Sequence, residues 1–303
     1  MAGMTGKQDR RAFGDGGGSV GERCGLVLEG GAMRGLFTAG VLDAWAGKGV
    51  EFDGAVGVSA GACFGCNWKS GQAGRVIRYN TRFAKDWRYC SWRSWALTGD
   101  LFGAEFCYRT LPRVLDPFDE AAFEANPMEF WVVATDAESG EAVYRRLERV
   151  DGEALEWIRA SASMPMVSRP VEIGGRRYLD GGISDAVPLA WFEGMGYGKN
   201  VVVATRPKGY RKGPARGRWL LRAGLRGLPA VREALLKRHE GYNRAMELLE
   251  AREREGRALV VAPPEALPIG HVCHDAEKMR RVYEIGRKAG EEALARVREF
   301  SGA

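Results

Sequence analysis

The 303-residue sequence predicts an α/β fold, layered around a mainly parallel central sheet flanked by helices. Two observations predict it. Short apolar runs of strand length alternate with segments of helical character, and several of those runs stop at glycine-rich turns. No apolar run approaches the roughly 18 residues that would cross a bilayer as a helix.

The elements follow in order. CGLVLEGG (24–31) is a buried strand ending in glycines, and RGLFTAGVLDAWAGKG is the helix after it, with Phe37, Val41, Ala44 and Trp45 on one face. FDGAVGVS (52–59) is a second strand; AGACFGCNWKSG is a short helix closing at Gly71. EFWVVATDAESGEAVYRRL (129–147) reads as two strands around a Glu-Ser-Gly turn. DGEALEWIRASASM (151–164) has the acidic first turn and following proline of a helix. VEIGGRRYL (171–179) is a hairpin with a Gly-Gly turn that delivers the chain to Asp180-Gly181-Gly182. NVVVATRP (200–207) and RALVVAPP (257–264) are the last strands, with helices between and after them.

Composition is that of a globular protein, 45% hydrophobic and 28% charged. A net charge of +6 and a pI near 9.0 favour acidic partners such as phospholipid headgroups. Residues 1–22 are rich in glycine and charge and carry no apolar leader, so the expectation is a disordered tail on a cytoplasmic protein. The remainder, 23–303, is expected to be one domain: a catalytic core at 23–205, then a basic segment and C-terminal helices at 206–303. Six scattered cysteines form no disulfide framework, which fits a reducing compartment. Cys63 and Cys66 make a C-x-x-C on the helix after Ser59; packing is the expected role, a redox or metal role the alternative.

Three glycine-marked turns fall at strand ends, where α/β sheets collect ligands. In GVSAG (57–61), Gly57 and Gly61 flank Ser59 at two residues on either side, and Val58 and Ala60 complete a turn that projects the hydroxyl from the sheet. A serine hydroxyl is a weak nucleophile without a base in reach. In EGGAMRG (29–35), the amides around Gly30, Gly31 and Ala32 can point at a developing oxyanion, with Met33, Arg34 and Gly35 carrying the chain into the helix. Arg34 steadies this loop or attracts an anionic headgroup. The competing reading is a dinucleotide phosphate loop, although Gly31 and Ala32 depart from G-x-G-x-x-G and only Glu51 and Asp53 offer a ribose-binding acid. In the third turn, Asp180 precedes Gly181 and Gly182; it is a carboxylate base if burial raises its pKa, or else a turn cap.

Taken together, GGAMRG, GVSAG and DGG, in that order, resemble the patatin-like phospholipase family, over roughly residues 23–205. A likeness to a bacterial subgroup runs on to about residue 299. Glu29 and Ala32 stand where plant patatins usually show Asp and Gly. The resemblance implies a three-layer sandwich and a Ser59–Asp180 dyad in which Asp180 is the general base. It also implies an oxyanion hole from the Gly30, Gly31 and Ala32 amides, and hydrolysis of a phospholipid or other acyl ester without metal or cofactor. The same parts would serve a carboxylesterase or an acyltransferase. A non-catalytic nucleotide- or lipid-binding module is the reading from another class. A triad histidine after Asp180 stays open, the candidates being His239, His271 and His274; the last two also form a His-x-x-His beside Cys273.

Two further stretches bear on substrate and surface. WRYCSWRSWALTGDLFGAEF (87–106) gathers Trp87, Tyr89, Trp92, Trp95, Phe102 and Phe106, which suits a lipid interface, an acyl-chain groove or simple packing. Residues 206–226 hold Arg206, Lys208, Arg211, Lys212, Arg216, Arg218, Arg222 and Arg226 with no acid, interleaved with Trp219, Leu220, Leu221 and Leu225. The expectation is peripheral association of 206–226 with an anionic membrane, on the inner face; no nucleic-acid motif accompanies the charge.

Overall fold

The computed structural model describes residues 23–215 and 217–302, so the tail expected at 1–22 and Arg216 lie outside the described residues. One eight-stranded sheet organises the chain: β1 (Cys24–Leu28), β2 (Gly54–Val58), β3 (Glu129–Asp136), β4 (Ala142–Arg146), β5 (Val171–Ile173), β6 (Arg176–Asp180), β7 (Lys199–Val203) and β8 (Ala258–Val261). Its order is β5-β6-β3-β2-β1-β7-β8, with β4 also paired to β3. The five strands β3, β2, β1, β7 and β8 run parallel, and the β3–β4, β3–β6 and β5–β6 pairs are antiparallel. The β5–β6 turn has the expected two glycines, Gly174 and Gly175, at φ +59° and +76°, the conformation that keeps a two-residue hairpin in step with strand twist.

Strand alternation divides the interior. On β1, Leu26 and Leu28 face one hydrophobic core and Val27 the other. The first core takes side chains from α1 (Gly35–Trp45), α2 (Ala60–Lys69), α3 (Arg75–Arg82), α6 (Gly152–Ser161) and α10 (Ala276–Ser301). The second is closed by α7 (Leu189–Gly194) and α9 (Pro229–Arg254) through Phe192, Tyr242 and Met246. Both faces of the sheet are thus covered by helices. The remaining helices, α4 (Trp92–Thr98), α5 (Glu120–Ala125) and α8 (Arg218–Gly224), are short, and a π-helix spans Phe106–Leu115.

Phe37, Val41, Ala44 and Trp45 of α1 are buried in one core as expected, but the rest of the helix is covered too: every residue from Gly35 to Trp45 is buried except the half-buried Asp43. The cause is α10, which lies across α1 so closely that a Cβ on Gly40 would stand 2.1 Å from the Tyr283 carbonyl oxygen. A helix sandwiched between a sheet and a second helix has no solvent side, so it shows no stripe.

Pairing along β3 sets up the site. Val133 pairs with Val58 of β2, and the next residue, Ala134, pairs with Asp180 of β6. β4 occupies the opposite edge of both residues, so β2 and β6 share one edge of β3. Since β2 runs parallel to β3 and β6 antiparallel, their carboxyl ends meet head-on. Ser59 follows one end and Asp180 is the other.

Candidate active site

The turn carrying Ser59 is built by close approach. Ser59 adopts φ 54° and ψ −120°, a conformation costly for a residue with a Cβ. Its flanking glycines are demanded sterically: a Cβ on Gly57 would lie 2.6 Å from the Ala62 amide nitrogen, and one on Gly61 2.4 Å from the Leu28 carbonyl oxygen. The Ser59 amide donates to Ser161 Oγ at 2.9 Å, while its carbonyl accepts from the Ala62 and Cys63 amides as α2 begins.

The Ser59 hydroxyl donates to Asp180 Oδ2 at 2.7 Å, with no imidazole between them. Asp180 Oδ1 accepts from the Gly182 amide at 2.7 Å, its own amide donates to the Ser163 carbonyl, and its carbonyl accepts from Thr135 Oγ1. The carboxylate is therefore fixed at every polar atom. Burial pushes its pKa above the usual 3.8, against the opposing pull of Arg238, the Ser59 hydroxyl, the Gly182 amide and Lys212. Arg238 reaches in from α9 and donates to the Gly182 carbonyl.

Gly30, Gly31 and Ala32 lie against this pair: a Cβ on Gly30 would stand 3.2 Å from Ser59 Cβ. Their amides donate to no protein group among the described residues. Ala32 sits at φ +48°, the left-handed region where the glycine of plant patatins would be relaxed. Glu29 anchors the loop from beneath, accepting from the Thr205 amide at 2.6 Å and from the Tyr242 hydroxyl at 3.0 Å. Met33 and Arg34 are buried, and Gly35 packs against Ala60 and Phe64.

Two cavities, each of about 140 Å³, meet at Ser59 and share Ala32, Ser59 and Met164 as lining. The first is apolar, walled by Phe64, Tyr79, Tyr89, Phe102, Leu111 and Ile158 among others. The second holds Asp180, Arg34, Arg238 and His271. Cys63 and Cys66 line the apolar cavity as free thiols, and burial pushes both up to about 12, so neither is a thiolate at neutral pH. The aromatic stretch 87–106 divides: Tyr89 and Phe102 line the cavity and Phe106 is buried, whereas Trp87, Trp92 and Trp95 are exposed. His239 Nδ1 approaches the Leu236 carbonyl within its own helix, and His274 Nδ1 approaches the carbonyl of Ala84, 190 residues away in sequence. Among the described residues, no group of three or more His, Cys, Asp or Glu side chains is arranged to hold a metal.

Sequence reasoning missed Ser161, Thr135 and Arg238, and it read Lys212 only as part of a membrane-facing basic segment, whereas its charge also acts on Asp180. Each reaches the site from an element distant in the chain, and only the fold brings them there.

The basic segment also divides. Lys208 pairs with Glu253 and Arg211 with Glu250, both on α9. Trp219 and Leu220 are exposed on α8, Leu221 is half-buried, and Leu225 is buried against Val231. Trp95 Nε1 donates to the Met166 carbonyl, and the Met166 side chain lies beside Gly224, so α4, Met166 and α8 form one exposed apolar rim. No described helix is long and apolar enough to cross a membrane.

A family model for patatin-like phospholipase matches residues 26–191, and one for a domain of unknown function (DUF6363) matches 228–302. The uncharacterized protein YjjU of Escherichia coli is 32% identical over 300 residues, covering 91% of this chain and 78% of that protein. Lysophospholipase NTE1 of Candida glabrata is 25% identical over 296 residues, which are 92% of this chain but 16% of that protein. VipD from Legionella pneumophila superposes with a TM-score of 0.47 at 12% identity, over 91% of this chain and 67% of its own. The glycine-marked turns and their strand-end placement agree with the match at 26–191: the chain belongs to the patatin-like phospholipase family.

Proposed function

We propose that the protein is a serine lipid acyl hydrolase, of phospholipase A or lysophospholipase type, using Ser59 as nucleophile and Asp180 as general base. The observation that carries this reading is the 2.7 Å hydrogen bond from the hydroxyl of Ser59, which lines an apolar cavity, to the buried Asp180 carboxylate. The acyl chain occupies that cavity and places its ester carbonyl over Ser59. As Oγ attacks, its proton passes to Asp180 Oδ2, and the carbonyl oxygen becomes an anion facing the undonated amides of Gly30, Gly31 and Ala32. Collapse of the tetrahedral intermediate expels the alcohol, which takes the proton from Asp180. Water activated by the same carboxylate then releases the fatty acid and restores Ser59. Gly57, Val58, Ala60, Gly61, Gly181 and Gly182 serve by holding the two turns in contact.

Residues 23–303 act as one catalytic unit in this reading, because β8 extends the sheet and α10 covers α1. The α4–Met166–α8 rim meets an anionic membrane surface, with Arg222 and Arg226 exposed beside it.

A fluorophosphonate probe tests the nucleophile: labelling is expected in the wild type and absent in Ser59→Ala. Hydrolysis of a lysophospholipid is expected to fall at least about 1,000-fold in Ser59→Ala and about 100- to 10,000-fold in Asp180→Asn. His271→Ala, by contrast, keeps turnover; collapse there would replace the dyad with a triad.

A further inference from the structure

The apolar cavity at Ser59 has a direction and an end. α2 starts just after Ser59, and Ala60, Cys63 and Cys66, spaced along one face of that helix, all line the cavity. At about 1.5 Å of rise per residue, Cys63 stands about 6 Å and Cys66 about 10 Å beyond Ser59. Arg75 meets the cavity at that far end, where its Nη1 donates to Oδ1 of Asn67, the residue after Cys66.

This end is held shut by charge. Arg75 is buried; its Nε and Nη2 donate to the Asp116 carbonyl, and Nε lies 3.3 Å from the Asp116 carboxylate. Arg78 grips the same carboxylate through Nε and Nη2, each at 2.8 Å. Tyr79 and Phe118, which also line the cavity, hold their ring centres 5.5 Å from the Arg75 guanidinium carbon. Among the described residues that line the cavity, Arg75 alone is charged. A hydrocarbon chain that pushed it aside would strip a buried ion pair, which costs more than burying another methylene contributes.

The size of the space agrees with its length. An alkyl chain, with bonds of about 1.5 Å at about 111°, advances about 1.25 Å per carbon, so about eight carbons reach from Ser59 to Cys66. The volume of about 140 Å³ is close to the roughly 150 Å³ of an engineered apolar cavity that takes a benzene ring.

We propose that Cys63, Cys66 and Arg75 form a ruler for the acyl chain, which selects chains of up to about eight carbons. Selection during turnover rests on the acyl-hydrolase reading; binding of the chain does not. Each further carbon stays outside the cavity and adds nothing to affinity.

Two measurements test this. The first takes kcat/KM over para-nitrophenyl esters from butanoyl to dodecanoyl, each below aggregation, with every variant normalised to its own butanoyl rate. In the wild type the value is expected to rise about two- to fourfold per added carbon, then to stop rising near about eight carbons. Cys63→Leu and Cys66→Leu place the same added bulk at two marks on the ruler. Both are expected to bring the break to shorter chains, Cys63→Leu by about three to four carbons more, because about 4.5 Å of helix separates them. Arg75→Met, in which Arg78 still holds Asp116, is expected to move the break to longer chains. The second measurement titrates the saturated fatty acids from butanoic to dodecanoic into Ser59→Ala protein by calorimetry. It is repeated with each Leu substitution added.

A break near the expected length that the two Leu variants move in the expected order supports the ruler. A profile that climbs evenly to dodecanoyl overturns it, and so does a break that neither Leu variant moves. Should no ester turn over and the fluorophosphonate fail to label, the hydrolase reading falls. The calorimetry then decides alone: affinity that levels off at the expected length supports the ruler, and fatty acids that fail to bind overturn it.

Discussion

As the proposed general base, Asp180 is asked to do two things that conflict. It must be dry enough to hold a proton taken from serine, and ionised enough to take it. Burial raises its pKa above 3.8 and Arg238 is the first group to pull it back. The sign follows: the base is lost as pH falls through the raised value, so the acid limb of kcat/KM lies above 3.8. Arg238→Gln removes the largest opposing influence, and its acid limb is expected to move to higher pH; a limb that stays or moves down would show that Arg238 does not act on Asp180. Ser59 and Asp180 were legible in the sequence because each lies in a short glycine-marked turn. Arg238 was not, since no turn motif marks it and its partner, the Gly182 carbonyl, is 56 residues away.

Strands and the helices that follow them were readable from apolar runs with glycine stops, and the hairpin at 171–179 from its paired glycines. The region from α3 to α5 was not. Its aromatic side chains turn into a cavity rather than along a helical stripe, α4 exposes Trp92, Trp95 and Leu97, and the π-helix accommodates Pro112 within it. Wide π turns, with their i→i+5 bonds, depart from the 3.6-residue period by which helices are read. The α1–α10 crossing was equally hidden, because it depends on glycine positions on two helices far apart in sequence. A Cβ on Gly286 would stand 2.0 Å from the Phe37 carbonyl oxygen. Gly286→Ala is therefore expected to force the helices apart and cost about 1–3 kcal/mol or more. Thermal unfolding is the check, and an unchanged midpoint would show the crossing to be loose.

Seen whole, a molecule with a net charge of +6 offers less free positive surface than its basic segment suggests. The sequence from 206 to 226 looks uniformly cationic only because the acids that neutralise Lys208 and Arg211 lie 45 and 39 residues further on. What remains exposed is an apolar rim with arginines beside it. Trp92→Ala/Trp219→Ala is expected to weaken binding to vesicles containing anionic lipid by about tenfold, and added salt to weaken the wild type. Binding insensitive to both changes would remove the rim from the account. The meeting of β2 and β6 along a single edge of β3 has one more result. The hairpin tip at Gly174–Gly175 is exposed, and cutting it would leave the proposed nucleophile and base, Ser59 and Asp180, on separate polypeptides. Such a nicked enzyme is expected to stay active while its halves cling together, to go silent when they are parted in denaturant, and to revive on remixing. A catalyst of the proposed kind, made this way, would be unarmed in every partly folded form, because neither half could attack an ester until the other had docked.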